Sequence, residues 1–227
     1  MDATELTVCN IGIFGIGVRH FWLDELGGLL EKFPVLEFPH KQDFYTLIIV
    51  EDAEGEITID AHKIRLDKAK AIIIKPRCIS SIDINRKAKG KIICFTEDFF
   101  SLRYNNNILY QFSFLRSEAK PHIRLTNEQK LKWDVLVNLL SEEYILKKRE
   151  TKKILRSYLN IVLFELERLY NPTGFLKSKN FKQEKVHEFE QLIDKHFETK
   201  KLPSLYAELL YVSPNYLNKI CKEETGQ

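Results

Sequence analysis

Membrane and secretion signals are absent from this sequence, and its cysteines are few. No apolar run approaches the roughly 20 residues that a membrane-spanning helix needs. The opening segment MDATELTVCN has no basic stretch followed by an apolar core, as a signal peptide would. The four cysteines are scattered without a CxxC pair, which argues against a zinc site of the usual spacing and fits free thiols in a reducing compartment. We therefore expect a cytoplasmic protein with no membrane partner.

The residue patterns that usually carry catalysis or cofactor binding are also missing. A metal-dependent β-barrel enzyme needs histidines and carboxylates that converge inside the barrel. Here His40 is followed by Lys41 and Gln42, and His62 and His122 stand alone in the sequence. The glycines of GIFGIG fit neither a dinucleotide-binding nor a phosphate-binding loop, and no serine or cysteine has the surroundings of a catalytic nucleophile. We expect no metal, no cofactor and no enzymatic activity.

The pattern of apolar residues changes near residue 120, from short runs to a helical spacing. Residues 1–120 contain short apolar runs separated by turn signals, namely FYTLIIVED, GEITID, HKIRL, AIIIKP, SSIDIN and GKIICF. Runs of this length, rich in Ile, Val, Phe and Tyr, predict an antiparallel sandwich or barrel. Residues 24–33 are expected to form a short helix.

From Thr126 onward the apolar residues recur with helical spacing, and residues 121–170 predict a helical hairpin. Thr126 is a suitable capping residue before the first helix. The apolar stripe of that helix is Leu131, Val135, Leu139, Leu140 and Tyr144. A second helix is expected from about Glu150 to Leu169, roughly 30 Å long. Since only a few residues separate the two helices, they should pack antiparallel.

The second helix of this hairpin is also a candidate dimer interface. The hairpin carries more apolar positions than packing against one barrel requires, so we expect a homodimer. The residues predicted to form its interface are Ile154, Tyr158, Ile161, Val162 and Leu166. The alternative is that this stripe, which continues to Leu169, is plain core.

A linker and a third helix follow the hairpin. The segment 171–181 (NPTGFLKSKNF) contains Asn-Pro, Thr-Gly and Ser, and is predicted to be an interdomain linker. The third helix is expected over residues 183–198. Its inward residues should be Val186, Phe189, Leu192, Ile193 and Phe197.

The segment 202–227 predicts two helices joined by a tight turn. The first should run from Ser204 to Leu210, with Ala207 where the helices cross, and the second from Pro214 to about Glu224. Ser213 can cap the second helix, and Pro214 suits its first position. Gly226 is a stop signal. The solvent face of the second helix should carry Asn215, Asn218, Lys219 and Lys222.

That polar face suits a DNA major groove, but spacing alone leaves a plain helical hairpin equally open. Charge does not decide between the two, since from Asn180 onward there are seven lysines and eight acidic residues, and the whole chain has a net charge of only +3.

The segment YAELLYVSPNYLNKICKEETGQ resembles the first helix-turn-helix of AraC/XylS-type transcriptional regulators. The Tyr-Ala pair, the Ser-Pro turn, the Tyr-Leu pair and the Lys-Glu-Glu-Thr-Gly ending match in order and spacing. The resemblance implies that Asn215, Asn218 and Lys219 contact bases of a double-stranded operator, and that Ser213 and Lys222 contact phosphates. An activator of this kind would also contact RNA polymerase. The family usually has Phe where this chain has Cys221.

The family's DNA-binding module contains a second helix-turn-helix, and this sequence stops at Gln227 after the first. We therefore expect a fragment in which residues 182–227 form an incomplete DNA-binding domain. Such a fragment should fold and bind an effector but show little specific affinity for DNA.

The β-rich part resembles the cupin-like sensory domain of the same family. The stretch 40–45 (HKQDFY) resembles the opening of that barrel, and 91–100 (KIICFTEDFF) resembles its late strand and the turn after it. The fold class expected is therefore α+β, with a cupin-like antiparallel barrel and helical hairpin before an all-α partial AraC-type domain. The resemblance implies a small-molecule effector or a dimerisation role. The alternative is a cupin-type small-molecule-binding module or enzyme with a helical appendage.

The stretch from Lys63 to Lys91 is strongly basic, with ten cationic residues and two acidic ones. It is either a solvated sheet face with its turns, a pocket for an anionic effector, or a surface near the DNA backbone.

Overall fold

Strands come first along the chain and helices follow, as the apolar patterns predict. The computed structural model describes residues 6–99, 109, 112–116, 119–170, 181–197 and 199–225. The strands are β1 (Val8–Cys9), β2 (Phe21–Glu25), β3 (His40–Gln42), β4 (Tyr45–Asp52), β5 (Gly55–Ile59), β6 (His62–Arg65), β7 (Lys70–Ile74), β8 (Ile79–Ile84), β9 (Lys89–Phe95) and β10 (His122–Arg124). The α-helices are α1 (Leu29–Lys32), α2 (Asn127–Leu146), α3 (Thr151–Tyr170), α4 (Phe181–His196), α5 (Pro203–Leu209) and α6 (Pro214–Thr225).

The strands form two five-stranded sheets, and the protein is α+β. The first sheet has the order β1-β3-β8-β5-β6, and the second has the order β10-β7-β4-β9-β2. All pairs are antiparallel except β1 with β3. Within the ranges described, no helix combines the length and apolar character needed to cross a bilayer.

The second sheet is buried on both of its faces, and this arrangement creates two cores. On one face, Ile48, Ile72 and Ile92 pack against residues of the first sheet such as Ile57 and Ile82. On the other face, the alternate residues of the same strands pack against α2 and α3. Strands that are covered on both sides need apolar residues at every position, which explains the uninterrupted runs LIIV, AIII and IICF.

The expectation of a closed barrel is wrong. The described strands form two separate five-stranded sheets, each with two edge strands. The chain crosses from the end of β6 to the start of β7 without continuing the hydrogen-bonded ladder. The edge strands β6 and β10 have only four and three residues. Short edge strands with cationic side chains do not readily pair further.

Residues 24–33, predicted as one helix, are instead the end of β2 followed by the short helix α1. Trp22 and Leu23 of β2 are buried on opposite faces of the second sheet. The conformation of residues 21–25 is therefore determined by hydrogen bonding to β9, and not by the local spacing of apolar residues.

The start of the helical hairpin is confirmed. The Thr126 side chain accepts a hydrogen bond from the backbone N–H of Gln129, whose side chain accepts one in return from the backbone N–H of Thr126. This reciprocal pair is a capping box, and it satisfies two amide groups that a helix terminus leaves unpaired.

The buried face of α2 was predicted wrongly. Leu131, Val135 and Leu139 are exposed, and of the predicted stripe only Leu140 is fully buried, with Tyr144 partly so. The helix instead buries Trp133 and Val137 beside Leu140. Apolar residues occur all round α2, so the spacing does not select one face, and burying the large Trp133 ring removes the most apolar surface from water.

Two leucines of α2, the buried Leu140 and the exposed Leu146, give a matched test of this orientation. Leu140→Ala should lower the free energy of unfolding by about 2–5 kcal/mol, because it leaves a cavity in the core between the second sheet and the helices. Leu146→Ala should change it by no more than about 0.5 kcal/mol, as expected for a surface substitution. Urea denaturation monitored by circular dichroism makes the comparison, and equal losses would contradict the orientation described.

Candidate nucleic-acid interface

The helices α4, α5 and α6 share a core of their own. The fully buried members of this core are Val186, Tyr206, Ala207, Leu210, Leu217 and Ile220. Four residues predicted to face inward from the third helix, Val186, Phe189, Leu192 and Ile193, lie in it, whereas Phe197 is half-exposed. Residues 171–180 of the predicted linker and the stop signal Gly226 lie outside the described residues.

The turn between α5 and α6 is held by the chain's own backbone. Tyr211 adopts a left-handed conformation with φ of 54° and turns its ring to solvent. The backbone N–H of Val212 then donates to the carbonyl of Ala207 at 3.0 Å. Ala207 is completely buried, so its small methyl group is what allows α5 to approach α6 closely.

Ser213 caps α6, as predicted. Its hydroxyl oxygen accepts a hydrogen bond from the backbone N–H of Tyr216 at 3.1 Å, and its carbonyl accepts one from Leu217 at 3.0 Å. The hydroxyl remains exposed and keeps its own proton to donate. The predicted bounds of both helices are confirmed to within about one residue.

The four polar residues predicted on α6 do lie together on its exposed face. Asn215, Asn218, Lys219 and Lys222 are all exposed and span an arc of about 100° at 3.6 residues per turn. Leu217 and Ile220 are buried on the opposite side. The helix therefore presents two amides and two ammonium groups to solvent along one line.

One acidic residue near this face is already paired. Glu223 accepts a hydrogen bond from Lys182 of α4 at 2.6 Å, and this contact lowers the pKa of its carboxyl group. Lys219 lies 4.0 Å from the same carboxylate, and its own side chain is largely exposed. Because Lys182 supplies the closer contact, the Lys219 ammonium is available to a ligand on the exposed face.

The surface predicted for dimerisation divides into two parts. Val162 and Leu166 are buried in the protomer's own core against the second sheet, so their assignment to a dimer interface is corrected. Ile154 and Ile161 are exposed, and Tyr158 is half-buried. The spacing did not distinguish the faces because adjacent residues such as Ile161 and Val162 are both apolar.

Exposed apolar residues of α2 extend this surface. Leu131 and Val135 are 69% and 60% exposed. The ion pair of Lys132 with Glu165, at 2.6 Å, joins α2 to α3. Val135 lies three residues after Lys132 on α2, and Ile161 lies four residues before Glu165 on α3. Because the two helices are antiparallel, Val135 and Ile161 are displaced from this ion pair in the same direction along the hairpin.

The described residues contain no group of three or more His, Cys, Asp or Glu side chains placed to hold a metal ion. His40 is buried, and its Nδ1 lies 2.8 Å from the carbonyl oxygen of Phe38. Burial raises the pKa of the cysteine thiols, to about 11 for Cys78. A nucleophilic cysteine needs the opposite shift.

No protein-family description matches this chain, and no curated protein matches it.

The close approach of α5 and α6 can be tested at Ala207. Ala207→Leu should destabilise the three-helix core by about 1–3 kcal/mol, because no space exists for the added atoms. Glu208→Leu, at the adjacent exposed position, should have little effect. Thermal unfolding compares the two variants, and a stable Ala207→Leu protein would show that the helices do not cross closely there.

Proposed function

We propose that this protein is a sequence-specific DNA-binding transcriptional regulator of the AraC/XylS type, with α6 as the recognition helix. The observation that carries the proposal is the exposed line of Asn215, Asn218, Lys219 and Lys222 on a helix whose opposite side is packed on α4 and α5. An α-helix fits into the major groove of B-DNA, which is about 12 Å wide.

Each polar side chain of α6 has a role that its chemistry suits. Asn215 and Asn218 carry both a donor and an acceptor, which matches the N6 and N7 pattern of adenine. Lys219 is a donor for the acceptors of guanine. Ser213, at the N-terminus of α6, and Lys222, about two and a half turns further along, would contact phosphates. Phosphate contacts position the helix, and base contacts supply the sequence preference.

Charge indicates that one copy of this module binds DNA weakly. With seven lysines and eight acidic residues after position 180, the segment has no positive excess to supply general attraction to phosphates. Specific affinity must then come from more than one reading helix. In a symmetric dimer, two such helices would contact half-sites about 34–36 Å apart or a multiple of that distance.

The proposed dimer uses the exposed apolar surface of α2 and α3, built from Leu131, Val135, Leu139, Ile154 and Ile161. Surfaces of this kind are rarely left open to water in soluble proteins. A second copy of the chain offers the same surface, and self-complementary contact of one patch with its copy is the usual geometry of a twofold dimer. The effector and the contact with RNA polymerase remain predictions from the family resemblance.

The DNA-binding proposal is tested by selecting duplexes from a randomised pool with this chain at low salt, where phosphate contacts are screened least. Asn218→Ala and Lys219→Ala should relax the preference at particular base positions, by about 1–3 kcal/mol each. Lys222→Ala should weaken binding to all duplexes alike and reduce the salt slope by about 0.9, the value for one phosphate contact. Fluorescence anisotropy measures each affinity.

The control for Lys222→Ala is Lys152→Ala, which removes the same charge from an exposed position on α3. If Lys152→Ala and Lys222→Ala weakened binding equally, the attraction would be a general charge effect. If duplex selection gave no preference that Asn218→Ala or Lys219→Ala alters, α6 would not be a recognition helix.

The dimer is tested by Val135→Asp combined with Ile161→Asp. Both side chains are exposed in one protomer, so the double variant should fold normally and sediment as a monomer, because a charge in an apolar interface is strongly unfavourable. Phe38→Asp is a control, since Phe38 is an exposed aromatic residue before β3. A dimer that survives the double substitution would exclude this surface, as would a wild-type chain that is monomeric at micromolar concentration.

A further inference from the structure

The edges of the two sheets that carry β6 and β10 form a seam lined by basic side chains. In β10, His122 pairs with Ile72 and Arg124 with Lys70. Directly paired residues of antiparallel strands share a face of the sheet, and Ile72 belongs to the core between the sheets. His122 and Arg124 therefore point to the side that faces the first sheet.

The strand β6 contributes to the same seam from the first sheet. Ile64 packs in the core between the sheets. Residues two apart in a strand point the same way, so His62 lies on the inner side, and Lys63 on the outer side, where it is 74% exposed and 3.7 Å from Glu56. His62 of the first sheet and His122 and Arg124 of the second sheet thus lie on the inner sides of these two edge strands.

Positive charge in the seam is only partly compensated. Lys70 and Arg124 are directly opposite each other, a placement of like charges that costs stability in a sheet. The Lys70 side chain is only 3% exposed, and its ammonium donates to the carboxylate of Asp67 at 2.9 Å and to the carbonyl of Arg65. Asp67 is thus committed to Lys70, and this hydrogen bond lowers its pKa.

His122 lies close to these positive charges. Burial, together with the charges of Lys70, Arg124, Lys120 and His62, lowers its pKa. Its Nδ1 is buried and has no hydrogen-bond partner within the described part of the chain. A buried ring nitrogen that has no partner and lies near cationic side chains can, when protonated, donate a hydrogen bond to an oxygen of an anion.

We propose that the seam between β6 and β10 binds a phosphate-bearing small molecule through His62, Lys120, His122 and Arg124. This inference concerns the β-rich part and does not depend on DNA binding by α6. A terminal phosphate carries close to two negative charges and three acceptor oxygens, which matches four cationic or titratable donors better than a carboxylate does. The guanidinium of Arg124 can bind two of the oxygens at once.

Two buried groups favour a small ligand over the DNA backbone, while the side chains of His62, Lys120 and Arg124 are exposed around them. The phosphodiester of DNA has a single charge and two unesterified oxygens, and it is held in a wide, rigid duplex. The Lys70 ammonium and the Nδ1 of His122 are both buried between the sheets. The terminal phosphate of a small molecule can approach these two groups, whereas a rigid duplex contacts only the exposed side chains.

Binding should be linked to protonation of His122. In the unliganded protein the lowered pKa keeps the imidazole neutral at neutral pH. A bound dianion favours the charged imidazolium and raises that pKa, so affinity should rise as the pH falls from about 8 towards 5. Sulfate is the probe for the pH series, because its own charge stays constant over this range. The charged or titratable groups that act on His122 are His62, Lys70, Lys120 and Arg124.

The experiment follows the histidine ring resonances of the full chain by NMR during titration with inorganic phosphate. We expect the His122 and His62 signals to shift together and saturate. Arg124→Gln and Lys120→Gln should each weaken the affinity about tenfold, the loss expected when a hydrogen bond to a charged group is removed. Lys63→Gln is the matched control: it removes one charge from β6 on the outer side, and it should change the affinity less than twofold.

Three results would overturn the proposal. One is equal weakening by Lys63→Gln and Arg124→Gln, which would indicate a diffuse charge effect. A second is no saturable shift at His122. The third is an Arg124→Gln variant with weaker duplex binding but unchanged phosphate binding, which would assign the surface to the DNA backbone. Since Asn218→Ala should leave phosphate binding intact, failure at the seam and failure of α6 as a recognition helix are distinguishable.

Discussion

Burial of the second sheet on both faces is the constraint on which the rest of the β-rich structure depends. Its central strands β4, β7 and β9 cannot be stable in isolation, because every residue of their apolar runs would face water on one side or the other. The first sheet covers one face and the α2–α3 hairpin covers the other. The position of the hairpin is therefore fixed by the sheet, and so is the direction in which its remaining apolar residues point.

This arrangement links the fold to both proposed surfaces. Once Trp133 and Val162 are used to cover the sheet, Val135 and Ile161 are left outside, where a second copy can reach them. At the sheet edges, the short strands β6 and β10 end their ladders without pairing with each other, and their inner sides carry His62, His122 and Arg124. The same two-layer packing thus leaves one apolar surface and one basic seam unpartnered within the protomer.

The sequence predicted the elements with local signatures and missed those decided by distant contacts. The capping residues Thr126 and Ser213 were identified because a cap needs only neighbouring backbone groups. The buried face of α2 was missed because it depends on what the second sheet offers to Trp133. The sequence did not indicate the seam, because its four proposed ligand residues lie outside the basic stretch from Lys63 to Lys91. His62 and His122 lie far apart in the chain and are placed by two separate sheet registers.

Within the part of the chain that the structure describes, the three C-terminal helices have a core that shares no residue with the two larger cores. Its six fully buried residues make it a small core, with correspondingly little hydrophobic stabilisation. Among the described residues, the buried side chains of these helices are thus packed separately from those of the sheets. The chain should accordingly open in units of unequal stability, so that amide hydrogens in α6 exchange with solvent before those in β4, and the free energy of unfolding of the sheets and α2–α3 is read from the later transition.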